Sequence, residues 1–308
     1  MNRNAETENI MAEFIFRGSG TAIVTPFTPD DDIDFDAFRR HVNQQIDGGV
    51  DALVVLGTTG ENATIWPDER RELVEKAIEY VGGRIPVIIG SGNNSTSESI
   101  VFSREAAGAG ADGLLVVGPY YNKPTQAGFR AHVEAIADAT DTPILIYNVP
   151  GRTSFNILPE TILRLAEEVP SVVGVKEASG SLTQITDILA HRPESLAVYS
   201  GDDEITLPLI VLGGDGVVSV VGNAIPDAFA DLVHKALDGQ IEEARKLHYR
   251  LLPAMRACFF ETNPIPIKAV LSAIGLMDGR LRLPLIEMED ANRRRVLDAF
   301  SSFIEANV

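Results

Sequence analysis

Apolar residues along this chain fall into short, almost unbroken runs that alternate with longer stretches of mixed polarity. Eight such runs recur at intervals of about 20–33 residues, a spacing typical of one strand and one helix per unit. Strands that are covered on both faces need such continuous hydrophobicity, because neither face meets water. The predicted strands occupy residues 21–25, 52–56, 85–90, 113–117, 143–147, 172–176, 197–200 and 216–220.

The stretches between the runs have helical periodicity. Phe35, Phe38 and Val42 fall on one face of a predicted helix, and similar stripes follow later strands. Asp34 precedes the first helix as a candidate N-cap, and Pro67 marks the first turn of the second. Eight strand–helix units predict an α/β protein with a closed (β/α)8 TIM barrel. The main rival is an open doubly wound sheet with a nucleotide-binding turn.

One glycine pattern bears on that rival. Gly108, Gly110 and Gly113 match the G-x-G-x-x-G spacing of a dinucleotide-binding turn. They follow a predicted helix over residues 97–107 and lead into a strand, whereas a pyrophosphate turn leaves a strand and opens a helix. We therefore predict that these glycines end a helix.

The alternation of strands and helices stops after about residue 240. Three further helices are predicted over residues 241–260, 265–274 and 291–305, with no strand between them. We therefore divide the chain into a barrel over residues 18–238, which carries the active site, and a C-terminal helical appendix over residues 239–308. We expect the appendix to pack against the barrel or against a neighbouring subunit.

The charge of the chain limits its partners. Asp and Glu number 44 against 26 Lys and Arg, which gives a formal net charge of −18. Such a chain repels phosphates and anionic membranes, so we expect neither nucleic acid nor a membrane as a partner. An acidic, lysine-poor composition is also typical of proteins adapted to high salt, where charge repulsion is screened. We expect maximal activity above about 1 M salt; simple solubility is the alternative.

Cysteine content and hydropathy indicate the compartment. The single cysteine, Cys258, excludes an intrachain disulfide and favours a reducing cytoplasm. Beside Phe259 and Phe260, we predict it to be a small core residue. No apolar run is long enough for a membrane span, and residues 1–13 lack the features of a signal peptide. We therefore expect a cytoplasmic protein.

Lys176 is the most informative polar residue, because it ends an otherwise apolar strand. Catalytic groups of such barrels lie at the carboxyl ends of the strands and in the loops that follow. Lysine is almost never buried without a partner or a task, and a desolvated amine releases its proton more readily. A neutral amine can attack a carbonyl and form a Schiff base. The alternative is a lysine paired with a carboxylate at the barrel mouth.

Other strand ends carry groups that fit such chemistry. Tyr147 ends the preceding strand and could relay protons near Lys176, or it could simply fill the top of the barrel. Thr58 and Thr59 offer hydroxyl and amide donors to a small carboxylate, or they could cap the following helix. Arg152 could bind a second carboxylate, or it could form a surface ion pair.

The remaining reactive residues give weaker signals. The five histidines have no zinc-ligand spacing, so we expect no metal site. No serine lies in a G-x-S-x-G turn. Asp202 and Asp203 could bind a cation, although this acidic pair equally suits a strand-to-helix turn.

Six segments of the chain follow one another in a familiar order. They are GTTGE at residues 57–61, PYYNKP at 119–124, YNVPGRT at 147–153, GVKEA at 174–178, SGDD at 200–203 and NPIP at 263–266. In this order they resemble the dihydrodipicolinate synthase family of pyruvate-dependent class I aldolases, over residues 18–300. The resemblance implies a homotetrameric lyase that condenses pyruvate with L-aspartate 4-semialdehyde in lysine and diaminopimelate biosynthesis. It implies no cofactor beyond the covalent Schiff base with pyruvate.

The resemblance also implies the catalytic residues. Lys176 would form the Schiff base with pyruvate, and Tyr147 would shuttle protons. Thr58 and Tyr121 would complete the proton relay, with Tyr121 supplied by the neighbouring subunit.

Substrate-binding roles follow from the same resemblance. Thr59 and the backbone of Val218 would hold pyruvate, and Gly201 would line the pocket. Arg152 would hold the carboxylate of the semialdehyde. A sugar-acid aldolase of the superfamily has less use for a residue that binds a second carboxylate. Two alternatives remain: a pyruvate-dependent aldolase acting on 2-keto-3-deoxy sugar acids, and a barrel without catalysis that serves as a binding or scaffolding protein.

One departure concerns regulation. Feedback-inhibited members of the family place histidines where this chain has Pro67 and Arg70. Asn94, Glu98 and Tyr120 do match positions that line the lysine site of the family. Because only some of the residues that line the lysine site of the family are present in this chain, we expect no strong inhibition by lysine.

Overall fold

The computed structural model describes residues 14–304 and shows a closed barrel of eight parallel strands. Each strand pairs with the next one in sequence, and the last pairs with the first. The strands are β1 (Gly18–Ala22), β2 (Ala52–Val55), β3 (Val87–Gly90), β4 (Gly113–Val117), β5 (Ile144–Asn148), β6 (Val172–Glu177), β7 (Ala197–Ser200) and β8 (Gly216–Ser219). The predicted (β/α)8 barrel is confirmed, and every strand except β1 lies within two residues of its predicted bounds.

The first strand lies three residues earlier than predicted, because glycine hides its extent. Gly18 has a φ of +134°, which side chains rarely allow. A Cβ on Gly216 would lie only 1.9 Å from the carbonyl oxygen of Gly18, so β1 and β8 approach closely only because both lack side chains here. The apolar run at residues 23–25, which suggested the strand, leaves the sheet.

Helices follow the strands around the outside of the barrel. They are α1 (Phe35–Asp47), α2 (Pro67–Val81), α3 (Thr96–Ala109), α4 (Gln126–Ala137), α5 (Pro150–Thr153), α6 (Pro159–Glu168), α7 (Leu182–His191), α8 (Thr206–Val211) and α9 (Pro226–Leu237), and the appendix adds α10 (Ile241–Ala257), α11 (Ile265–Ala273) and α12 (Asp290–Ile304). Both predicted start signals are confirmed. The Asp34 carboxylate accepts a hydrogen bond from the amide of Ala37 at 2.9 Å, and Pro67 is the first residue of α2.

The three glycines of the G-x-G-x-x-G pattern have different roles. Gly110 ends α3 with a φ of +95°, as predicted. The prediction was wrong for the other two, because Gly108 lies within α3 and Gly113 begins β4. An exposed helix tolerates an internal glycine at a cost of about 1 kcal/mol, so α3 continues past Gly108 to Ala109.

Two apolar layers hold the barrel together. Side chains that include Val54, Ile88 and Leu145 fill its interior, and a second layer packs between the strands and the helices. Because the interior is filled rather than open, any substrate site must lie at an end of the barrel.

The appendix packs on the end of the chain's own barrel. Helix α10 contacts α8, α9 and α12, and α11 contacts the 3-10 turn Val221–Asn223 that follows β8. Cys258 is fully buried at the end of α10, which confirms it as a core residue. The boundary between residues 238 and 239 falls between α9 and α10, and it stays a prediction as a domain boundary.

Two predictions concern residues that the structure does not describe. Residues 1–13 and residue 305, the predicted end of α12, lie outside the described region. Within residues 14–304, no helix has the length and apolar character that a membrane span requires.

Candidate active site

Lys176 and Tyr147 meet at the carboxyl ends of β6 and β5. The two residues pair directly in the sheet register, and the Lys176 Nζ lies 4.2 Å from the centre of the Tyr147 ring. Lys176 is only 5% exposed and Tyr147 6%. Lys176 forms no ion pair with any residue that the structure describes, so the alternative of a lysine paired with a carboxylate is wrong.

Gly201 leaves the space that the Lys176 side chain occupies. A Cβ at this position would lie 3.1 Å from Cε of Lys176 and 2.5 Å from Cβ of Ala178. The amide of Gly201 donates to the carbonyl of Glu177 at 2.8 Å, which fixes the start of the loop after β7 beside the lysine. The structure therefore brings Lys176, Tyr147 and Gly201 together, as the sequence predicts.

A buried polar cluster holds the ends of β5 and β6 on the opposite face. The side-chain amide of Asn148 donates to both oxygens of Glu177, at 3.2 and 3.0 Å. Gln184 and the amide of Ser179 donate to the same carboxylate at 3.0 and 2.7 Å. Side chains alternate between the faces of a strand, so this cluster fixes the strand ends behind Lys176. Glu177 was not among the predicted site residues, although a carboxylate in a buried strand was an available signal.

The loop after β2 presents the two predicted threonines. Thr59 is 3% exposed, and its Oγ1 accepts a hydrogen bond from Nδ2 of Asn263 at 2.9 Å. Thr58 is half-buried, and its carbonyl accepts from the amide of Glu61 at 3.1 Å. Neither hydroxyl caps the 3-10 turn or the helix that follows, so the helix-capping alternative is wrong.

The same loop ends in a buried ion pair that was not predicted from the sequence. Nζ of Lys268 in α11 donates to Oε1 of Glu61 at 2.5 Å, and both side chains are at most 1% exposed. Lys268 also donates to the carbonyl of Arg280, and the amide of Arg282 donates to the second Glu61 oxygen. Burial lowers the pKa of Lys268, and the charge of Glu61 opposes this change. The one sequence signal was a lysine in the middle of the apolar helix α11.

Arg152 lies at the mouth of the barrel in α5, the short helix that follows β5. Its guanidinium is exposed, and Nη2 donates to the backbone carbonyl of Asn263 at 3.2 Å. It forms no ion pair within residues 14–304, so the surface ion-pair alternative is wrong. Asn263 thus contacts both predicted carboxylate-binding residues, Thr59 through its side chain and Arg152 through its backbone.

Two predicted residues stand apart from these contacts. Tyr121 is 91% exposed and has a φ of +70°, so its ring has almost no packing within its own chain. Val218 is buried in β8, opposite Gly20 of β1.

Asp203 fixes the turn after β8. It is buried, and its Oδ2 accepts hydrogen bonds from the amides of Val220 and Val221 at 3.2 and 2.8 Å. Burial raises the pKa of Asp203 to about 6, partly offset by these hydrogen bonds. In the turn from β7 to α8, Oδ1 of Asp202 accepts a hydrogen bond from the amide of Glu204 at 2.9 Å, which favours the turn alternative for this acidic pair.

The chain matches a known protein family over almost its whole length. A sequence profile of the Dihydrodipicolinate synthetase family matches residues 15–302. A 4-hydroxy-tetrahydrodipicolinate synthase of Salinibacter ruber is 61% identical over 298 residues, which are 96% of this chain and 99% of the relative. One of Thermotoga neapolitana is 51% identical over 275 residues, covering 88% of this chain and 93% of the relative.

Solved structures give the same result. The crystal structure of dihydrodipicolinate synthase from Aquifex aeolicus superposes with a TM-score of 0.92 at 40% identity, covering 94% of this chain and 98% of the other. That from Thermotoga maritima gives 0.91 at 44% identity, with the same coverage. Both comparisons favour the synthase over an aldolase of 2-keto-3-deoxy sugar acids. Because the profile and the relatives span almost the whole chain, this chain belongs to the dihydrodipicolinate synthetase family and is an enzyme of the lyase class.

Proposed function

We propose that this chain is a 4-hydroxy-tetrahydrodipicolinate synthase, which condenses pyruvate with L-aspartate 4-semialdehyde through a Schiff base on Lys176. The observation that carries the proposal is the buried Lys176 amine, which has no anionic partner among residues 14–304 and lies 4.2 Å from the Tyr147 ring centre. No carboxylate of the described residues occupies this amine, and a lysine amine is the nucleophile that a Schiff base requires.

Imine formation begins when Nζ of Lys176 attacks C2 of pyruvate and the ketone oxygen takes up a proton. The resulting carbinolamine loses this oxygen as water, while the nitrogen gives up its proton. Tyr147 lies beside the amine and would move these protons, with Thr58 and Tyr121 extending the relay.

Pyruvate needs donors for its carboxylate. Thr59 is buried, so water competes little for its hydroxyl, and a hydrogen bond to an anion is strong in such a place. The backbone beside Val218 would supply further contacts, and Gly201 would line the pocket. These groups would hold C2 of pyruvate against the Lys176 amine.

Condensation follows loss of a proton from C3 of the imine, which gives an enamine. Its C3 attacks the aldehyde carbon of the semialdehyde, and the aldehyde oxygen takes up a proton to become the product's 4-hydroxyl. The amino group of the product then attacks the imine carbon, closes the ring and releases Lys176 as a free amine. Arg152, exposed at the mouth, would hold the carboxylate of the semialdehyde.

The assembly and setting belong to the same proposal. A homotetramer would give the 91% exposed Tyr121 a place in the relay of a second copy. The net charge of −18 supports the proposal that the protein binds neither nucleic acid nor membranes. We place the protein in the cytoplasm. No cofactor is needed, because the lysine and the substrates supply every reacting group.

The proposal is tested by borohydride reduction of the enzyme with pyruvate in molar KCl, followed by peptide mass spectrometry. We expect a reduced pyruvate adduct on Lys176, no adduct in Lys176→Arg, and formation of 4-hydroxy-tetrahydrodipicolinate when the semialdehyde is added. Arg152→Ala should weaken use of the semialdehyde while leaving the pyruvate adduct intact. Wild-type enzyme that carries no adduct on Lys176 would overturn the proposal, and so would an adduct-forming enzyme that does not consume the semialdehyde.

A further inference from the structure

Asn263 is buried at the start of the appendix, where it contacts the active-site loop. It is 4% exposed, and Nδ2 donates to Oγ1 of Thr59 across 204 residues of sequence. Its Oδ1 has no hydrogen-bond partner among residues 14–304. The bond to Thr59 is therefore the one side-chain hydrogen bond that Asn263 makes within this part of the chain.

We infer that Asn263 is a positioning residue that keeps the Thr59 hydroxyl oriented as a hydrogen-bond donor to the carboxylate of pyruvate. A threonine hydroxyl has one proton and two lone pairs. Because the Asn263 amide donates to the oxygen, the proton of Thr59 is left for another acceptor. The inference rests on the proposed function, in which that acceptor is the pyruvate carboxylate.

The polarity of this contact decides the chemistry. With the amide turned over, Oδ1 of Asn263 would accept the Thr59 proton, and Thr59 could then offer the carboxylate only lone pairs. A lone pair facing an anion is repulsive, and in a buried site that repulsion is poorly screened. The donor orientation of Asn263 therefore favours pyruvate binding, whereas an acceptor at the same place opposes it.

The surroundings of Asn263 hold it in place. Its backbone carbonyl accepts from Arg152 at 3.2 Å. Five residues further on, Lys268 forms the buried ion pair with Glu61, two residues beyond Thr59. The threonine loop is thus joined to the segment 263–268 at two points, and a rigid donor at one of them keeps its direction.

Asn263→Asp tests the polarity with almost no change in shape, since a carboxylate only accepts hydrogen bonds. We expect the pyruvate concentration for half-maximal borohydride trapping, and the KM for pyruvate, to rise roughly 10–100-fold, the range for a hydrogen bond to a charged group. The KM for the semialdehyde should stay within about twofold, because the backbone contact to Arg152 is kept. Asn263→Ala should raise the pyruvate KM less, since it removes the donor without adding an acceptor.

Two controls separate orientation from packing. Thr262→Ala changes an exposed neighbour and should leave both KM values unchanged. In a Thr59→Val background, Asn263→Asp should have little further effect on the pyruvate KM, because no hydroxyl remains to orient.

The possible outcomes test the role of Asn263 and the proposed function separately. The inference is overturned when folded Asn263→Asp saturates with pyruvate as wild type does, or when its effect persists unchanged in Thr59→Val. Should Asn263→Asp fail to fold, a pyruvate KM in Asn263→Ala equal to that of wild type overturns it instead. Wild-type enzyme that pyruvate and borohydride do not label refutes the proposed function, a result that is distinct from all of these.

Discussion

Lys176 lies between two tyrosines on the neighbouring strands, and only one of them turns its ring towards the amine. Tyr147 of β5 pairs with Lys176 in register, and its ring centre lies 4.2 Å from Nζ. Tyr199 of β7 also pairs with Lys176, but its hydroxyl donates to the carbonyl of Phe16 at 2.5 Å. The hydroxyl of Tyr199 is therefore already engaged, whereas Tyr147 is the tyrosine that packs against the amine.

This difference predicts the outcome of two matched substitutions. Tyr147→Phe keeps the ring against Lys176 and removes the proton carrier, so we expect kcat to fall at least about 100-fold. Tyr199→Phe removes a buried hydroxyl of the same kind and should cost about 1 kcal/mol of unfolding free energy, with kcat nearly unchanged. Steady-state rates and urea unfolding of both variants check this. Equal kcat losses in the two variants would show that the hydroxyl of Tyr147 has no special part in the reaction.

The buried pair of Glu61 and Lys268 predicts a strong coupling in stability. Lys268→Met leaves the Glu61 carboxylate buried without its partner, which should cost about 3–5 kcal/mol of unfolding free energy. Glu61→Gln in the same chain removes the remaining charge, so the double variant should recover part of that loss. Urea unfolding of the single variants and the double variant gives the coupling energy. Additive losses would contradict a direct interaction between the two charges.

The sequence predicted the barrel because its signal is local. Continuous apolar runs and helical stripes repeat within each strand–helix unit, so each unit can be recognised by itself. Lys176 was found for the same reason, since a lysine at the end of an apolar strand is visible in five neighbouring residues. The predicted β1 was displaced because Gly18 and Gly20 carry no hydrophobic signal, although the close approach to β8 requires glycine.

The contacts that hold the site together could not be predicted in this way. Glu61 and Lys268 are 207 residues apart in sequence, and Asn263 reaches Thr59 only because the appendix folds back over the barrel mouth. No periodicity connects such positions. The resemblance identified GTTGE and NPIP as separate segments, but their contact required the closed barrel.

Charge repulsion predicts that salt stabilises the protein. With a net charge of −18, the folded chain should gain unfolding free energy as KCl rises towards about 2 M, because screening weakens repulsion. Glu72 and Glu75 are exposed on successive turns of α2, where like charges repel. The variant Glu72→Gln/Glu75→Gln should be more stable than wild type at low salt, and the two should converge at high salt. A stability that is flat in KCl for both proteins would refute salt adaptation.

The environment of Arg70 predicts the response to lysine. Arg70 is buried, donates to the carbonyl of Gly90 and lies 4.1 Å from the Phe102 ring centre. Burial lowers its pKa to about 10, so the residue still carries its charge at neutral pH. A fixed cation packed on Phe102 of α3, the helix that also carries Glu98, should disfavour a cationic ligand at that helix, and micromolar lysine should leave initial rates unchanged. Inhibition in that range would show that lysine binds despite this charge.

The buried carboxyl of Asp203 predicts a pH dependence of stability. Burial raises its pKa from 3.8 to about 6 in the folded protein, so its contribution is fully present below pH 3.8 and is lost as pH rises through about 6. From pH 5 to pH 7.5, wild type should therefore lose on the order of 1 kcal/mol relative to Asp203→Asn. The variant has no carboxyl to ionise at this position and keeps an acceptor for the amides of Val220 and Val221. Urea unfolding of both proteins at the two pH values, in the same molar KCl, measures this difference. A constant gap between wild type and variant would show that Asp203 ionises with an ordinary pKa.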